Sequence, residues 1–184
     1  FNCKYFGFAA DEDFNYQECM NADSTLKLLN NPYVIIPYHG EHAWPDIKRM
    51  ELAFIWMLAP ALKNDTLFIQ EVNNTIKKGL DTAYAKNDYP LQRAILLYAS
   101  NIYASINIEN NYSTEKQKLL TDTNYINDAK KQTTLWKKEM LLQSEILQSI
   151  DTKDINWWQN FVVPLKSNKD PVTRMIYKRC LNFC

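Results

Sequence analysis

Glycine is scarce in this chain of 184 residues, which contains only three. Glycine makes up about 7% of an average protein, and a complete doubly wound α/β fold needs it at many tight turns between strands and helices. The scarcity therefore argues against a complete fold of that kind. It favours stacked helices for the part of the chain from about residue 65 onward, which is rich in Leu, Lys, Gln and Asn.

Long apolar runs and an excess of one charge are also missing. No stretch approaches the roughly 18 to 20 apolar residues that span a bilayer, and no basic-then-apolar signal pattern opens the chain. Lys plus Arg and Asp plus Glu both number 21, so no net field attracts nucleic acid or an anionic membrane. We predict no membrane span and no nucleic-acid partner. Because the sequence begins at Phe1 and not at Met, we expect a preceding segment.

Cysteine is too sparse for a disulfide scaffold, and no CxxC pair occurs. Two of the four cysteines, Cys180 and Cys184, share a helix face, but without a nearby histidine they cannot complete a zinc site. We predict that these two, together with Cys3 and Cys19, are buried structural thiols.

The N-terminal part of the sequence predicts a strand, a helix and a second strand. Residues 4–10 (KYFGFAA) form a short apolar and aromatic run, typical of a buried strand. Asn15 with Glu18 three residues later resembles a capping box that starts a helix, and residues 30–32 (Asn-Asn-Pro) end it. Residues 33–38 (YVIIPY) are β-branched and aromatic, as a second strand requires.

Helices are predicted for most of the remaining chain. Pro45 or Asp46 opens an amphipathic helix that Pro60 kinks or ends. The Asn-rich stretch 107–114 is predicted to be a loop, and the short turn at 87–90 favours an antiparallel helical hairpin. The fold class is therefore mixed and mainly α, divided into residues 1–64 and a helical extension of residues 65–184. The extension is expected to hold helices at about residues 67–86, 91–106, 125–150, 155–163 and 172–181.

Two sets of side chains in the helical extension are interpreted as structural and not as binding sites. We predict that large side chains on a short helix are core anchors, namely Trp157, Trp158, Phe161 and Val162. We also predict that a lysine-rich helix with intervening acids presents a solvated face, formed by Lys130, Lys131, Lys137, Lys138, Glu139 and Glu145.

Acidic and imidazole groups follow the two predicted strands. A strand–helix–strand crossover is right-handed, so its parallel strands end side by side, and catalytic groups of open α/β sheets gather at that edge. The first strand ends in residues 11–13 (Asp-Glu-Asp), and the second leads into His39 and His42. A carboxylate and an imidazole are thus predicted to meet, as in a catalytic triad.

At these residues the sequence resembles the α/β-hydrolase fold. The segment GFAADEDFNY at residues 7–16 resembles the acid loop of esterases and peptidases with that fold. The segment GEHAWPD at residues 40–46 is similar to their Gly-x-His-x-Trp-Pro histidine loop, in which Trp44 and Pro45 start the last helix of the hydrolase domain. The resemblance implies the closing β-α-β-α piece of a hydrolase sheet, followed by a bundle of antiparallel, helical-repeat-like helices as in some bacterial members.

The resemblance also implies residue roles. Asp11 takes the place of the orienting acid and His42 that of the general base. Asp13 is the fallback acid, and His39 is the weaker candidate for the base because it precedes the glycine of the motif. Neither a metal nor an organic cofactor is implied. The family resemblance slightly favours a bacterial periplasmic or secreted location, although the compartment stays open.

The sequence departs from the family because no Gly-x-Ser-x-Gly nucleophile motif and no oxyanion loop occur in it. We therefore expect this chain alone to be inactive, with the nucleophile and the rest of the sheet on a missing N-terminal segment. The expected function is that of the C-terminal portion of a serine hydrolase cleaving ester or amide bonds of an unidentified acyl substrate. The alternative is a non-catalytic helical-repeat protein-binding module, in which Asp11 and His42 are inert remnants.

Overall fold

The computed structural model of the chain describes residues 4–29 and 31–182. Within this part, helices predominate and the only sheet has two parallel strands, which confirms the predicted fold class as mixed and mainly α. In chain order the elements are β1 (Tyr5–Ala10), α1 (Tyr16–Leu28), β2 (Tyr33–Tyr38), α2 (Ile47–Leu58), α3 (Thr66–Ala85), α4 (Tyr89–Ile106), α5 (Tyr112–Thr121), α6 (Thr123–Ser149), α7 (Ile155–Lys166) and α8 (Pro171–Asn182).

The sheet matches the predicted strand–helix–strand unit. Strands β1 and β2 pair in parallel from Tyr5 opposite Tyr33 to Ala10 opposite Tyr38, with α1 as the crossover. Residues 33–37 of β2 are all buried, because α4 packs on this strand and Asn101 donates a hydrogen bond to the main-chain oxygen of Tyr33. β-Branched side chains suit such a buried parallel strand.

The start of α1 differs from the prediction. Asn15 precedes the helix, but its side chain forms no capping hydrogen bond, so the predicted capping box is wrong. Instead, the main-chain N–H of Asn15 donates to Oδ1 of Asp13. The short Asp13 side chain organises the turn, as aspartates commonly do before a helix. Helix α1 ends at Leu28, and Asn30 of the predicted stop lies outside the described residues.

The predicted helices of the extension agree with α3, α4, α6, α7 and α8 to within three residues at each end. Asp46 caps α2 by accepting from the N–H of Arg49, and Asp170 caps α8 by accepting from the N–H of Thr173. Helix α5 was not predicted, since it begins inside the stretch interpreted as a loop. Its sequence is polar and only Leu119 is buried, so no apolar stripe revealed it.

Two hydrophobic clusters stabilise the described part of the chain. The larger one joins Val34 of β2, Trp56 of α2, Ile76 of α3 and Leu96 of α4. It therefore includes residues from both sides of the predicted boundary after residue 64, and the division into two domains stays a prediction. No described helix is long and apolar enough to cross a bilayer.

The smaller cluster is formed by α6, α7 and α8. Ile146, Ile176 and Cys180 are its buried members, and two of the four predicted core anchors, Trp158 and Phe161, pack against it. The other two, Trp157 and Val162, are half-buried and are not part of this cluster. Of the other cysteines, Cys19 is half-buried, whereas Cys3 and Cys184 lie outside the described residues.

Candidate functional site

The loops that follow β1 and β2 run side by side beyond the sheet. The N–H of Asp11 donates to the main-chain oxygen of Tyr38 at 2.9 Å, and the N–H of Glu12 donates to that of Gly40 at 2.9 Å. These bonds extend the pairing of the strands into the acidic and histidine segments. The predicted meeting of carboxylates and imidazoles at this edge therefore has a structural basis.

Asp11 pairs with His39. The Nδ1 atom of His39 lies 3.1 Å from both carboxylate oxygens of Asp11, and Oδ1 also accepts from the N–H of Gly40 at 3.0 Å. The side chain of His39 is 80% exposed and that of Asp11 is 27% exposed. The hydrogen bond to Asp11, followed by its negative charge, raises the pKa of His39 above the ordinary value.

Asp13 pairs with His42. The Nδ1 atom of His42 lies 2.9 Å from Oδ2 of Asp13, whose Oδ1 is held by the N–H of Asn15. The imidazole packs against the ring of Phe14, with ring centroids 4.8 Å apart. The expected hydrogen bond between Asp11 and His42 is thus replaced by one between Asp13, the fallback acid, and His42.

The strand register explains this pairing. Ala10 lies opposite Tyr38, so the next residues, Asp11 and His39, also lie opposite each other. A turn closed by the bond from the N–H of Asp13 to the oxygen of Ala10 then places the second carboxylate near His42. In the histidine loop, a Cβ atom on Gly40 would lie 2.9 Å from the ring of Tyr38, which accounts for glycine there.

Both histidines use Nδ1 toward a carboxylate, and in the described part of the chain neither Nε2 atom forms a hydrogen bond. A carboxylate on Nδ1 fixes the tautomer whose Nε2 accepts a proton, and it stabilises the imidazolium that forms. Each pair therefore has the chemistry of a general base with its orienting acid. Within residues 4–29 and 31–182, no serine, threonine or cysteine is hydrogen-bonded to either imidazole.

Helix α8 ties the two loops together. The ammonium group of Lys178 lies 2.5 Å from Oε2 of Glu12 and 2.7 Å from Oε1 of Glu41. One carboxylate belongs to the acid loop and the other to the histidine loop. These two hydrogen bonds raise the pKa of Lys178, and the bond from Lys178 lowers that of Glu41.

A buried ion pair, formed by Arg179 and Glu139, contacts the acid loop. The guanidinium of Arg179 pairs with the carboxylate of Glu139 in α6, and both side chains are almost fully buried. Arg179 also donates to the main-chain oxygen of Asp11 and lies 5.0 Å from the ring centroid of Tyr16. The main chain just after β1 is therefore hydrogen-bonded to a buried guanidinium, whose position is fixed by its ion pair with Glu139.

Glu139 corrects the prediction of a solvated face on α6. The four lysines and Glu145 are exposed as predicted, but Glu139 is 0% exposed. Its position carried a signal, since Leu135, Glu139, Leu142 and Ile146 follow the i, i+4, i+7, i+11 spacing of one helix face. An acid on an apolar stripe indicates a buried partner, and sequence reasoning missed it.

A cavity of about 360 Å³ opens beside the first of the two pairs and is lined by Asp11, His39, Tyr16 and Asp88 among others. Burial raises the pKa of Tyr16 to about 12. Burial also raises the pKa of Asp88. His42 is not among the residues that line this cavity.

Within residues 4–29 and 31–182, no group of three or more His, Cys, Asp or Glu side chains is arranged to hold a metal ion. No protein-family model, curated protein or solved structure matches the chain. The resemblance to α/β hydrolases thus depends on the two loop motifs alone.

Proposed function

We propose that this chain supplies the acid and the histidine of a catalytic triad, as the C-terminal portion of an α/β-hydrolase-fold serine hydrolase acting on ester or amide bonds. The nucleophilic serine would be contributed by polypeptide outside these 184 residues. In this proposal His42 is the general base, as the histidine-loop motif implies. Asp13 replaces Asp11 as the acid that orients it.

The observation that carries the proposal is the hydrogen bond from Nδ1 of His42 to Asp13 at 2.9 Å. It orients Nε2 away from the acid, in the tautomer that accepts the hydroxyl proton of a serine. The serine oxygen would then attack the acyl carbon. His42 would return the proton to the leaving group, and a water molecule would release the acyl group by the same proton transfers.

Exposed apolar side chains and an open strand edge support a missing partner segment. Ile47, Phe54 and Leu58 share one face of α2 and are 79%, 53% and 49% exposed, while Trp44 in the histidine loop is 91% exposed. Strand β1 pairs only with β2 in the described part of the chain. Exposed apolar faces and open strand edges normally receive a partner, here proposed to be the remaining hydrolase segment.

The test uses the natural protein that contains this chain and a serine-directed fluorophosphonate probe. We expect labelling of the intact protein and its loss in His42→Ala, because an unassisted serine is a weak nucleophile. Asp13→Asn should lower the labelling rate by several orders of magnitude, since the wrong histidine tautomer is then favoured.

His39→Ala is the matched control, because His39 has the same type of carboxylate partner and lies three residues away. Its labelling should stay near that of the parent protein. Equal labelling of the parent and of His42→Ala would contradict the assignment of the base. Loss of labelling in His39→Ala alone would transfer the role to the pair formed by Asp11 and His39.

A second candidate function is a non-catalytic binding module. It is favoured by one observation: a cavity of about 650 Å³ is lined mainly by helices and by neither histidine. In that case the intact protein would show no fluorophosphonate labelling, and Asp13→Asn would leave its binding properties unchanged.

A further inference from the structure

A cavity of about 650 Å³ lies between α1, β2, α4, α5 and α6. Its volume falls within the range of roughly 300 to 1,000 Å³ that is typical of small-molecule sites. Neither His39 nor His42 lines it, so an inference about this cavity does not depend on the proposed hydrolase activity.

Three basic side chains line this cavity, and one of them is already neutralised. The guanidinium of Arg93 in α4 forms a two-pronged ion pair with Asp23 in α1, with distances of 3.0 and 2.7 Å from Nη2 to the two carboxylate oxygens. Such a bidentate pair fixes both side chains. The other two basic residues, Lys27 and Lys116, add positive charge beside it.

Lys116 has no ion pair or hydrogen bond with any residue in the described part of the chain. Its side chain is half-buried, and its pKa is lowered by burial first and then by the positive charges of Arg93 and Lys27, which Asp23 offsets in part. A partly desolvated ammonium group next to two other cations is unfavourable unless an anion joins it.

The remaining walls suit an organic body. Trp136, Tyr125 and Leu97 line the cavity as half-buried side chains, and aromatic and aliphatic walls contribute most of the contact area in ligand pockets. Two acids line the cavity, Asp23 and Asp128, and Asp23 is paired with Arg93. Asp128 also lines the smaller cavity, and its charge is not among those that shift the pKa of Lys116. The cavity therefore offers a ligand both apolar walls and positive charge, from Lys27 and Lys116, that is unpaired in the described part of the chain.

We propose that this cavity binds a small organic anion, whose carboxylate or phosphate group pairs with Lys116 and Lys27 and whose apolar body packs against Trp136 and Leu97. The two anionic groups share the chemistry that ammonium groups recognise. The relative affinities of a carboxylate ligand and a phosphate ligand show which of the two groups the site favours.

The test is calorimetric titration of the 184-residue chain with phenyl phosphate, phenylacetate, inorganic phosphate and the neutral benzyl alcohol. We expect saturable binding of at least one aromatic anion, and at least roughly tenfold weaker binding of benzyl alcohol and inorganic phosphate, since each lacks one half of the recognition. Quenching of the protein's tryptophan fluorescence by the aromatic anion should be smaller in Trp136→Phe than in the parent chain.

Lys116→Gln should weaken binding of the aromatic anion by about tenfold or more, as expected for the loss of one charge-assisted contact. Lys116→Arg should retain most of it, and Lys27→Gln should have a smaller effect because Lys27 is exposed. Lys118→Gln is the matched control, since Lys118 is an exposed lysine on the same helix that does not line the cavity.

Far-UV circular dichroism checks that each variant is folded. If Lys116→Gln does not fold, the comparison of Lys27→Gln with Lys118→Gln decides the result. The proposal is overturned if neither aromatic anion binds, if benzyl alcohol binds as tightly as the anions, or if the lysine variants that line the cavity bind like Lys118→Gln.

Discussion

Arg179 in the last helix donates a hydrogen bond to the main-chain oxygen of Asp11, 168 residues earlier in the chain. The same guanidinium is neutralised by Glu139 in the interior. The preceding residue, Lys178, donates hydrogen bonds to Glu12 and Glu41. Consecutive residues of α8 thus contact both the acid loop and the histidine loop, which carry the two acid–histidine pairs.

The first prediction concerns this buried ion pair. Glu139→Gln should lower the free energy of unfolding by about 3–5 kcal/mol, because it leaves the buried guanidinium of Arg179 without its counter-charge. The measurement is urea denaturation of the chain, followed by circular dichroism.

Glu145→Gln is the control on the same helix, since Glu145 is exposed and its replacement should change the stability by no more than about 0.5 kcal/mol. The double variant Glu139→Leu with Arg179→Met should recover much of the loss, because a well-packed apolar pair avoids the cost of burying charge. A loss in Glu139→Gln as small as that in the control would contradict the buried pair.

The second prediction concerns the pKa of His39. Because Asp11 raises this pKa, Asp11→Asn should return it toward about 6.5, the value of an unperturbed histidine. Titration of the imidazole signals by NMR measures it. The folded-state pKa is raised, so the stabilisation from this pair is complete below about pH 6.5 and is lost as the pH rises through the raised pKa. A His39 pKa that is the same in Asp11→Asn and in the parent chain would rule out the pair.

The third prediction is a shift of the same pKa in the opposite direction. The positive charge of Lys178 lowers the pKa of His39, so Lys178→Gln should raise it further. Arg174→Gln serves as the control, because Arg174 is an exposed cation on the same helix and is not among the groups that act on His39. A decrease in Lys178→Gln, or an equal increase in both variants, would show that α8 does not lie against these loops.

The sequence predicted the elements well where local chemistry determines them. Both strands, the proline and aspartate boundaries of α2 and α8, and the antiparallel helices α3 and α4 follow from side-chain pattern and capping residues. Helix α5 was missed because its polar sequence forms no apolar stripe. Its position depends on packing of Leu119 against the main cluster, which is a tertiary effect.

The candidate site was predictable to the level of the loops but not of the individual pairs. The sequence brought Asp11, Asp13, His39 and His42 to one sheet edge, yet the family motif favoured Asp11 with His42. The register of β1 against β2 determines which acid pairs with which histidine. That register is a property of the paired strands and cannot be deduced from either strand alone. The docking of Arg179 beneath the acid loop joins residues too distant in the chain for local pattern to reveal.

The fourth prediction tests whether residues 1–64 and 65–184 unfold separately. Ile76 of α3 is completely buried in the cluster that also contains Val34 of β2 and Trp56 of α2. Ile76→Ala should cost about 2–5 kcal/mol through the cavity that it leaves. Because the cluster is shared, slowly exchanging amides in β2 and in α4 should lose protection by the same free energy in a hydrogen-exchange experiment.

Ile155→Ala is the matched control, since Ile155 is 69% exposed on α7 and its replacement should change protection in β2 by no more than about 0.5 kcal/mol. If β2 kept its full protection in Ile76→Ala while α4 lost it, the two predicted domains would be separate folding units. Equal losses would mean that the acid and histidine loops are supported by a core to which the helical extension contributes directly. Truncation at residue 64 would then remove both the packing behind β2 and the α8 contacts to Asp11, Glu12 and Glu41.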